Sequence, residues 1–177
     1  MKKLFLVITM FCIASVAMFA QDTKWGVGFN VGYGTEVAKP FLGVKGQYNI
    51  TEAFTVAASF NHYFSETVDL DEELGEYTGG MEGKLKCWEL NADFHWNVVR
   101  TDLIKFYPLV GLTYLHAKGS VKEDGFSFSN SDGYFGANIG VGAQFDIATN
   151  WAIGVEAKYQ IMDNSQFVPM ATVMYKF

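Results

Sequence analysis

The stretch Trp151-Ala152-Ile153-Gly154-Val155-Glu156-Ala157-Lys158-Tyr159-Gln160 decides how this chain is read. Every odd position in it is apolar, while the even ones include Gly154, Glu156, Lys158 and Gln160. A period of two is that of an extended strand, whose side chains point alternately to opposite faces. The same rhythm sets Trp25, Val27, Phe29, Val31 and Tyr33 against Gly26, Gly28, Asn30 and Gly32. It opposes Trp88, Leu90, Ala92, Phe94 and Trp96 to Glu89, Asn91, Asp93, His95 and Asn97, and Phe135, Ala137, Ile139, Val141, Ala143 and Phe145 to Gly136, Asn138, Gly140, Gly142, Gln144 and Asp146. Phe167, Pro169, Ala171, Val173, Tyr175 and Phe177 carry it to the last residue.

The pattern predicts eight strands, near 24–34, 39–49, 53–64, 84–97, 104–118, 132–146, 151–162 and 167–177. Pro169 removes a ladder donor and is expected near a strand end. The connections alternate in length. Those at 49–52, 98–103 and 147–150 are short, 65–83 and 119–131 are long, and 34–39 and 163–166 are modest. Short turns at one end and longer loops at the other are the rhythm of an antiparallel up-and-down barrel spanning an outer membrane.

The N-terminus supports that compartment. Lys2 and Lys3 precede an apolar run from Leu4 to about Phe19, and Ala17-Met18-Phe19-Ala20 offers small residues before Gln21-Asp22. Residues 1–20 are therefore expected to be a signal peptide, leaving 21–177 as one barrel domain. Cys87 is then the single cysteine of the mature chain, so no internal disulfide is expected. The formal net charge of −6 includes the leader lysines, and an acidic mature chain argues against nucleic acid as a partner. No stretch beyond the leader reaches a helical membrane span, yet 50% of the residues are hydrophobic. Barrel strands reconcile the two, since each crosses a bilayer in about ten residues.

Volume decides which face points outward. The interior of an eight-stranded barrel is just wide enough for side chains to fill. Some forty apolar residues, many of them aromatic, would overfill it, whereas the Gly, Asn and Thr of the opposite face suit it. Aromatic residues also gather towards the ends of the apolar face, at Trp25 and Tyr33, Trp88 and Trp96, and Trp151 and Tyr159. That is where interfacial girdles lie.

In strand pattern, loop rhythm and C-terminus the mature chain resembles the small eight-stranded OmpX-like outer-membrane barrels and the wider outer membrane protein beta-barrel domain family. The Phe19-Ala20-Gln21 junction resembles those of secreted proteins of the Bacteroidetes. The resemblance implies that Tyr175 and Phe177 form the C-terminal signal read by the barrel assembly machinery. Thr172 stands where the family usually has glycine, and Met170 where it has a polar residue. It also implies a monomer among outer-membrane lipid and lipopolysaccharide, with a structural or adhesive role and surface partners met through 65–83 and 119–131. Within the latter, Gly125-Phe126-Ser127-Phe128-Ser129-Asn130 continues the alternation past the expected membrane edge, which suits projecting strands whose open edges capture other proteins, against the plainer reading of a hairpin end packed on its own neighbours.

Lys45, Glu89, Asp93, Lys105, Glu156 and Lys158 have inward parity, with His95 and Gln144 among them. Buried charges must pair. They are expected to form a salt-bridged plug, against the sharper reading of a narrow ion path. Segment 65–83 holds Glu66, Asp69, Asp71, Glu72, Glu73, Glu76 and Glu82. Its spacing fails a calcium loop because Leu74 and Gly80 occupy the positions needing glycine and a bidentate acid. A solvated acidic loop is expected instead. Lipid A deacylases, barrels of similar size, use a His-x-Ser pair, but His62, His95 and His116 are followed two residues on by Phe64, Asn97 and Lys118. His62 and His116 are expected at headgroup level. No catalytic residue, cofactor or metal is expected. A soluble barrel with a polar exterior remains a further alternative.

Overall fold

The computed structural model describes residues 24–65, 67–69, 82–101, 103–123 and 126–177. The expected leader at 1–20 and most of the acidic segment 65–83 lie outside the described residues. The described residues form ten strands: β1 (Trp25–Gly34), β2 (Lys39–Asn49), β3 (Phe54–Tyr63), β4 (Thr67–Asp69), β5 (Glu82–Trp96), β6 (Val99–Arg100), β7 (Ile104–Glu123), β8 (Phe126–Ala148), β9 (Trp151–Ile161) and β10 (Gln166–Lys176).

Eight of them close a barrel in the circuit β1-β2-β3-β5-β7-β8-β9-β10, all antiparallel, with β10 pairing back onto β1. The short β4 lies on β5 beyond the end of β3, and β6 lies on β7 within the 98–103 turn. Closure leaves no edge inside the wall, the condition for crossing a membrane with strands.

Burial alternates along the strands as the sequence pattern requires. β3 reads exposed at Phe54, Val56, Ala58, Phe60 and His62 and buried at Thr55, Ala57, Ser59, Asn61 and Tyr63. Apolar side chains thus form the outer surface and polar ones fill the interior, as the volume argument anticipated. Phe29 and Phe135 are 74% and 72% exposed, and most of the large hydrophobes likewise clothe the wall. Where Gly46, Ala58 and Ala92 align across β2, β3 and β5, the wall is dented by a depression of about 870 Å³ beside Tyr48, Val56, Phe94 and Leu112.

The three prolines obey the ladder. Pro40 precedes the first β2–β3 pair, Phe41↔Tyr63; Pro108 lies just past the last β5–β7 pair, His95↔Leu109; Pro169 lies just past the last β1–β10 pair, Gly32↔Met170. Each stands one residue beyond the last register pair with one neighbouring strand, where a missing donor costs least. Pro169 is nonetheless inside β10, opposite Ala157. A β-bulge between Asp146 and Ala148 adjusts β8 before the turn into β9.

One expectation fails. Of the long loop placed at 119–131, residues 119–123 and 126–131 continue β7 and β8, which pair from Ile104↔Phe145 out to Glu123↔Phe126, in line with the alternation noted at 125–130. Ser, Gly and Asn in that segment read as loop chemistry, but the hairpin register is carried by the neighbouring ladder. β5 also begins at Glu82, inside the segment expected to be loop.

Candidate functional site

Inside the wall two layers are stacked. Towards the end carrying the long hairpin, Phe41, Tyr63, Cys87, Leu115, Val168 and Met170 form a buried apolar cluster, with Val37, Ala117, Tyr134 and Met162 packed against it. Glycine makes room for the bulk. A Cβ on Gly32 would stand 2.8 Å from Phe41 Cε1, and one on Gly142, deeper in the barrel, 2.5 Å from Tyr107 Cε2.

Beneath the apolar layer lies a polar network. Lys45, Glu89, Asp93, His95, Gln144, Glu156 and Lys158 are each at most 5% exposed. Lys45 forms an ion pair with Glu156, whose Oε1 also accepts from the Tyr107 hydroxyl at 2.8 Å. Lys158 Nζ donates to Asp93 Oδ2 at 3.0 Å, and Asn138 Nδ2 donates to Asp93 Oδ1 at 2.7 Å. The His95 ring stacks on Tyr107, with centroids 4.4 Å apart and planes 6° from parallel. Gln144 Oε1 accepts from Gln47 Nε2 at 3.3 Å.

Glu89 is held without a lysine. Tyr63 donates to its Oε2 at 2.8 Å, Asn61 donates to its Oε1 at 3.2 Å, and Asn91 donates there too. Three donors satisfy a buried carboxylate that would otherwise be costly. Asn91 is the hub, since its Oδ1 accepts from Asn138 at 2.9 Å and from Gln160 at 3.2 Å. Lys105, 9% exposed, lies opposite Gln144 near the other mouth, where Lys176 pairs with Asp146 at 2.8 Å.

The charged members stand out in the sequence, whereas Asn30, Asn61, Asn91, Asn138 and Gln160 do not declare themselves as network partners. Their inward parity was the available signal. Tyr63 and Tyr107 escaped because aromatic residues were assigned to the outer face. Of the histidines, His95 is buried in the network, His62 is exposed on the outer wall, and His116 is half-buried against Trp88 at 5.1 Å. Among the described residues no group of three or more His, Cys, Asp or Glu could hold a metal ion.

This arrangement fills the lumen. A void of about 10 Å³ beside Lys45, Gln47, Tyr107, Gln144 and Glu156 has room for about one water molecule. With an apolar cluster above it, the polar layer offers no wide aqueous route. Barrel inserted into a planar bilayer should show no discrete conductance steps, while its heat-modifiable gel mobility verifies folding. Reproducible ion steps would contradict the plug.

At the hairpin end the wall becomes asymmetric. β8 pairs with β9 only as far as Ala137↔Ile161, yet it continues to Phe126 on the β7 side. Residues 126–136 therefore have β7 on one edge and, among the described residues, no strand on the other. That edge runs for about 33 Å at the usual rise per residue. β5 accompanies β7 to Glu82↔Lys122, so the projection is a small sheet rather than a lone hairpin.

Solved structures with a similar fold are small barrels. They include a major outer membrane protein from Thermus thermophilus, with 16% identity, a TM-score of 0.60 and coverage of 86% of this chain and 98% of that one. Ail, the attachment invasion locus protein of Yersinia pestis, in complex with the heparin analogue sucrose octasulfate, gives 19%, 0.59, 86% and 96%. The N-terminal β-barrel domain of Pseudomonas aeruginosa OprF gives 16%, 0.53, 86% and 96%. At these identities the likeness is one of fold. No curated protein matches the sequence. The family model for the outer membrane protein beta-barrel domain, however, matches residues 4–177. A closed wall with its apolar face outward and a family match across nearly the whole chain agree: this is an outer-membrane protein belonging to the outer membrane protein beta-barrel domain family.

Proposed function

We propose that the chain is a non-catalytic, monomeric surface barrel that captures other proteins through the projecting β7–β8 sheet, in an adhesive or structural role. The open β8 edge at 126–136 carries this reading. Exposed sheet edges are templates for strand addition, and soluble proteins blunt them with lysine or proline. Here Phe126-Ser127-Phe128-Ser129-Asn130-Ser131-Asp132-Gly133-Tyr134-Phe135-Gly136 contains neither. An extended segment of a partner would gain backbone hydrogen bonds along this edge. The attachment role printed in the name of Ail, a barrel of similar fold, is in keeping with such a use.

The filled lumen supports the surface reading over a channel, because it stabilises a rigid platform and leaves the projecting sheet as the part able to meet a partner. Two further elements complete it. Residues 1–20 direct export and are removed, and Tyr175 and Phe177 serve as the signal for the barrel assembly machinery. Outer-membrane lipid and lipopolysaccharide surround the wall.

Deleting 120–129 leaves Gly119-Asn130 as a two-residue turn between Lys118 and Ser131, which are already register partners. Cells displaying this shortened barrel should bind immobilised extracellular-matrix proteins about tenfold less than cells displaying the full chain, with equal surface amounts. Undiminished binding would dispose of the strand-addition reading.

A further inference from the structure

Lys86 and Lys118 stand directly opposite one another across β5 and β7. Both are exposed, and both share outward parity with the next pair along, Trp88↔His116. Like charges facing each other across a ladder are destabilising unless something neutralises them. The ion pairs found among the described residues are Lys45–Glu156, Lys158–Asp93 and Lys176–Asp146, so none of those carboxylates reaches either lysine. In a chain of formal net charge −6, this pair is a local concentration of positive charge.

Its position defines what could neutralise it. Trp88 lies 6.0 Å from Phe60, 5.6 Å from Tyr114 and 5.1 Å from His116, and Tyr114 continues the band to Phe135 at 5.6 Å. Such a band marks the boundary between hydrocarbon and headgroups. The lysine pair is one step, or about 7 Å along the strand, beyond it. It belongs to the end bearing the long hairpin, and longer loops lie on the outer side. Ser131, exposed and opposite Lys118, adds a hydroxyl at the same level.

We infer that Lys86 and Lys118 bind the phosphate groups of a glycolipid in the outer leaflet, with the Trp88 band packing on its acyl chains below. Two ammonium groups offer several donors to phosphate oxygens, and the aromatic surface supplies the apolar half of the contact. The inference rests on the outward orientation of the hairpin and not on strand addition. The barrel lacking 120–129 keeps both lysines, so it should retain the lipid even if it loses protein binding, and the two readings fail separately.

The test uses the full-length folded barrel in neutral detergent, titrated with bisphosphorylated lipid A and followed by native mass spectrometry. Lys86→Gln with Lys118→Gln should weaken binding about thirtyfold, from the usual contribution of a lysine near an anionic surface. Lys24→Gln, at the opposite end of the barrel, should leave it unchanged. Dephosphorylated lipid A should bind the unaltered barrel as weakly as bisphosphorylated lipid A binds the double variant. Inorganic phosphate alone should not compete at millimolar concentration. Equal binding by the double variant, equal binding of dephosphorylated lipid, or tight competition by inorganic phosphate would each overturn the assignment. Heat-modifiable mobility of the variants verifies that they remain folded.

Discussion

Replacing Lys45 by Met should lower the unfolding free energy of the barrel by about 3–5 kcal/mol, the usual consequence of stranding one member of a buried ion pair. Glu156 would retain the Tyr107 hydroxyl at 2.8 Å but lose the ammonium that neutralises it. The pair is 3% and 2% exposed at the side chains, so solvent cannot replace the lost partner at small cost. Adding Glu156→Gln to Lys45→Met removes the orphaned charge and should recover most of the loss. Lys176→Met provides the comparison, because its partner Asp146 is 21% exposed and can be solvated at the barrel mouth. There the expected loss is about 1 kcal/mol or less. Equilibrium unfolding in denaturant from lipid vesicles, followed by tryptophan fluorescence, measures all three. A Lys45→Met loss no greater than that of Lys176→Met would mean that the lumen behaves as an aqueous space.

These partners also show where the sequence stops being legible. Parity alone put Lys45, Asp93, Glu156 and Lys158 inside, because a strand face needs only local information. Who pairs with whom is another matter. Lys45 meets Glu156 across 111 positions, Lys158 meets Asp93 across 65, and Thr172 donates to Asn30 across 142. Those distances are bridged by barrel closure and by the stagger between strands, neither of which any short window contains. The apolar layer of Phe41, Tyr63, Leu115 and Val168 was hidden for a related reason. Phe41 and Tyr63 are isolated bulky apolar residues on mostly polar inner faces, Leu115 shares its face with Tyr107 and Leu109 and Val168 shares its face with Met170 and Met174, and the four meet only when β2, β3, β7 and β10 curl together.

The strand limits at 118 and 132 fall short because Gly119-Ser120 and Ser129-Asn130-Ser131-Asp132 carry turn chemistry, although Gly125-Phe126-Ser127-Phe128-Ser129-Asn130 keeps the alternation. Their register is nevertheless continuous, with Gly119↔Asn130 and Ser120↔Ser129 extending the β7–β8 ladder. The membrane-spanning part had the stronger signal because two different solvents act on its faces. Outside the wall that contrast ends, so the alternation that persists at 125–130 no longer decides between a projecting strand with an open edge and a hairpin end packed on its own neighbours.

The same contrast predicts the effect of a charge on the outer wall. Phe29 lies midway along β1 between Trp25 and Tyr33, and is 74% exposed where those two are 45% and 42%. The flanking aromatics place it near the middle of the hydrocarbon. Phe29→Arg should therefore destabilise the folded barrel by about 2–4 kcal/mol, while Tyr33→Arg at the girdle should cost about 1 kcal/mol or less. The difference arises from depth, since an arginine near the rim can extend to the headgroups and one at the middle must drag water or thin the bilayer. Reversible folding into phosphatidylcholine vesicles gives both values. If the two substitutions cost the same, β1 is not crossing the bilayer with its odd-numbered face to the lipid. If Phe29→Arg costs more, the alternation beginning at Trp25 is measured as a depth profile, and the wall's outward face follows from energetics independently of the barrel's shape.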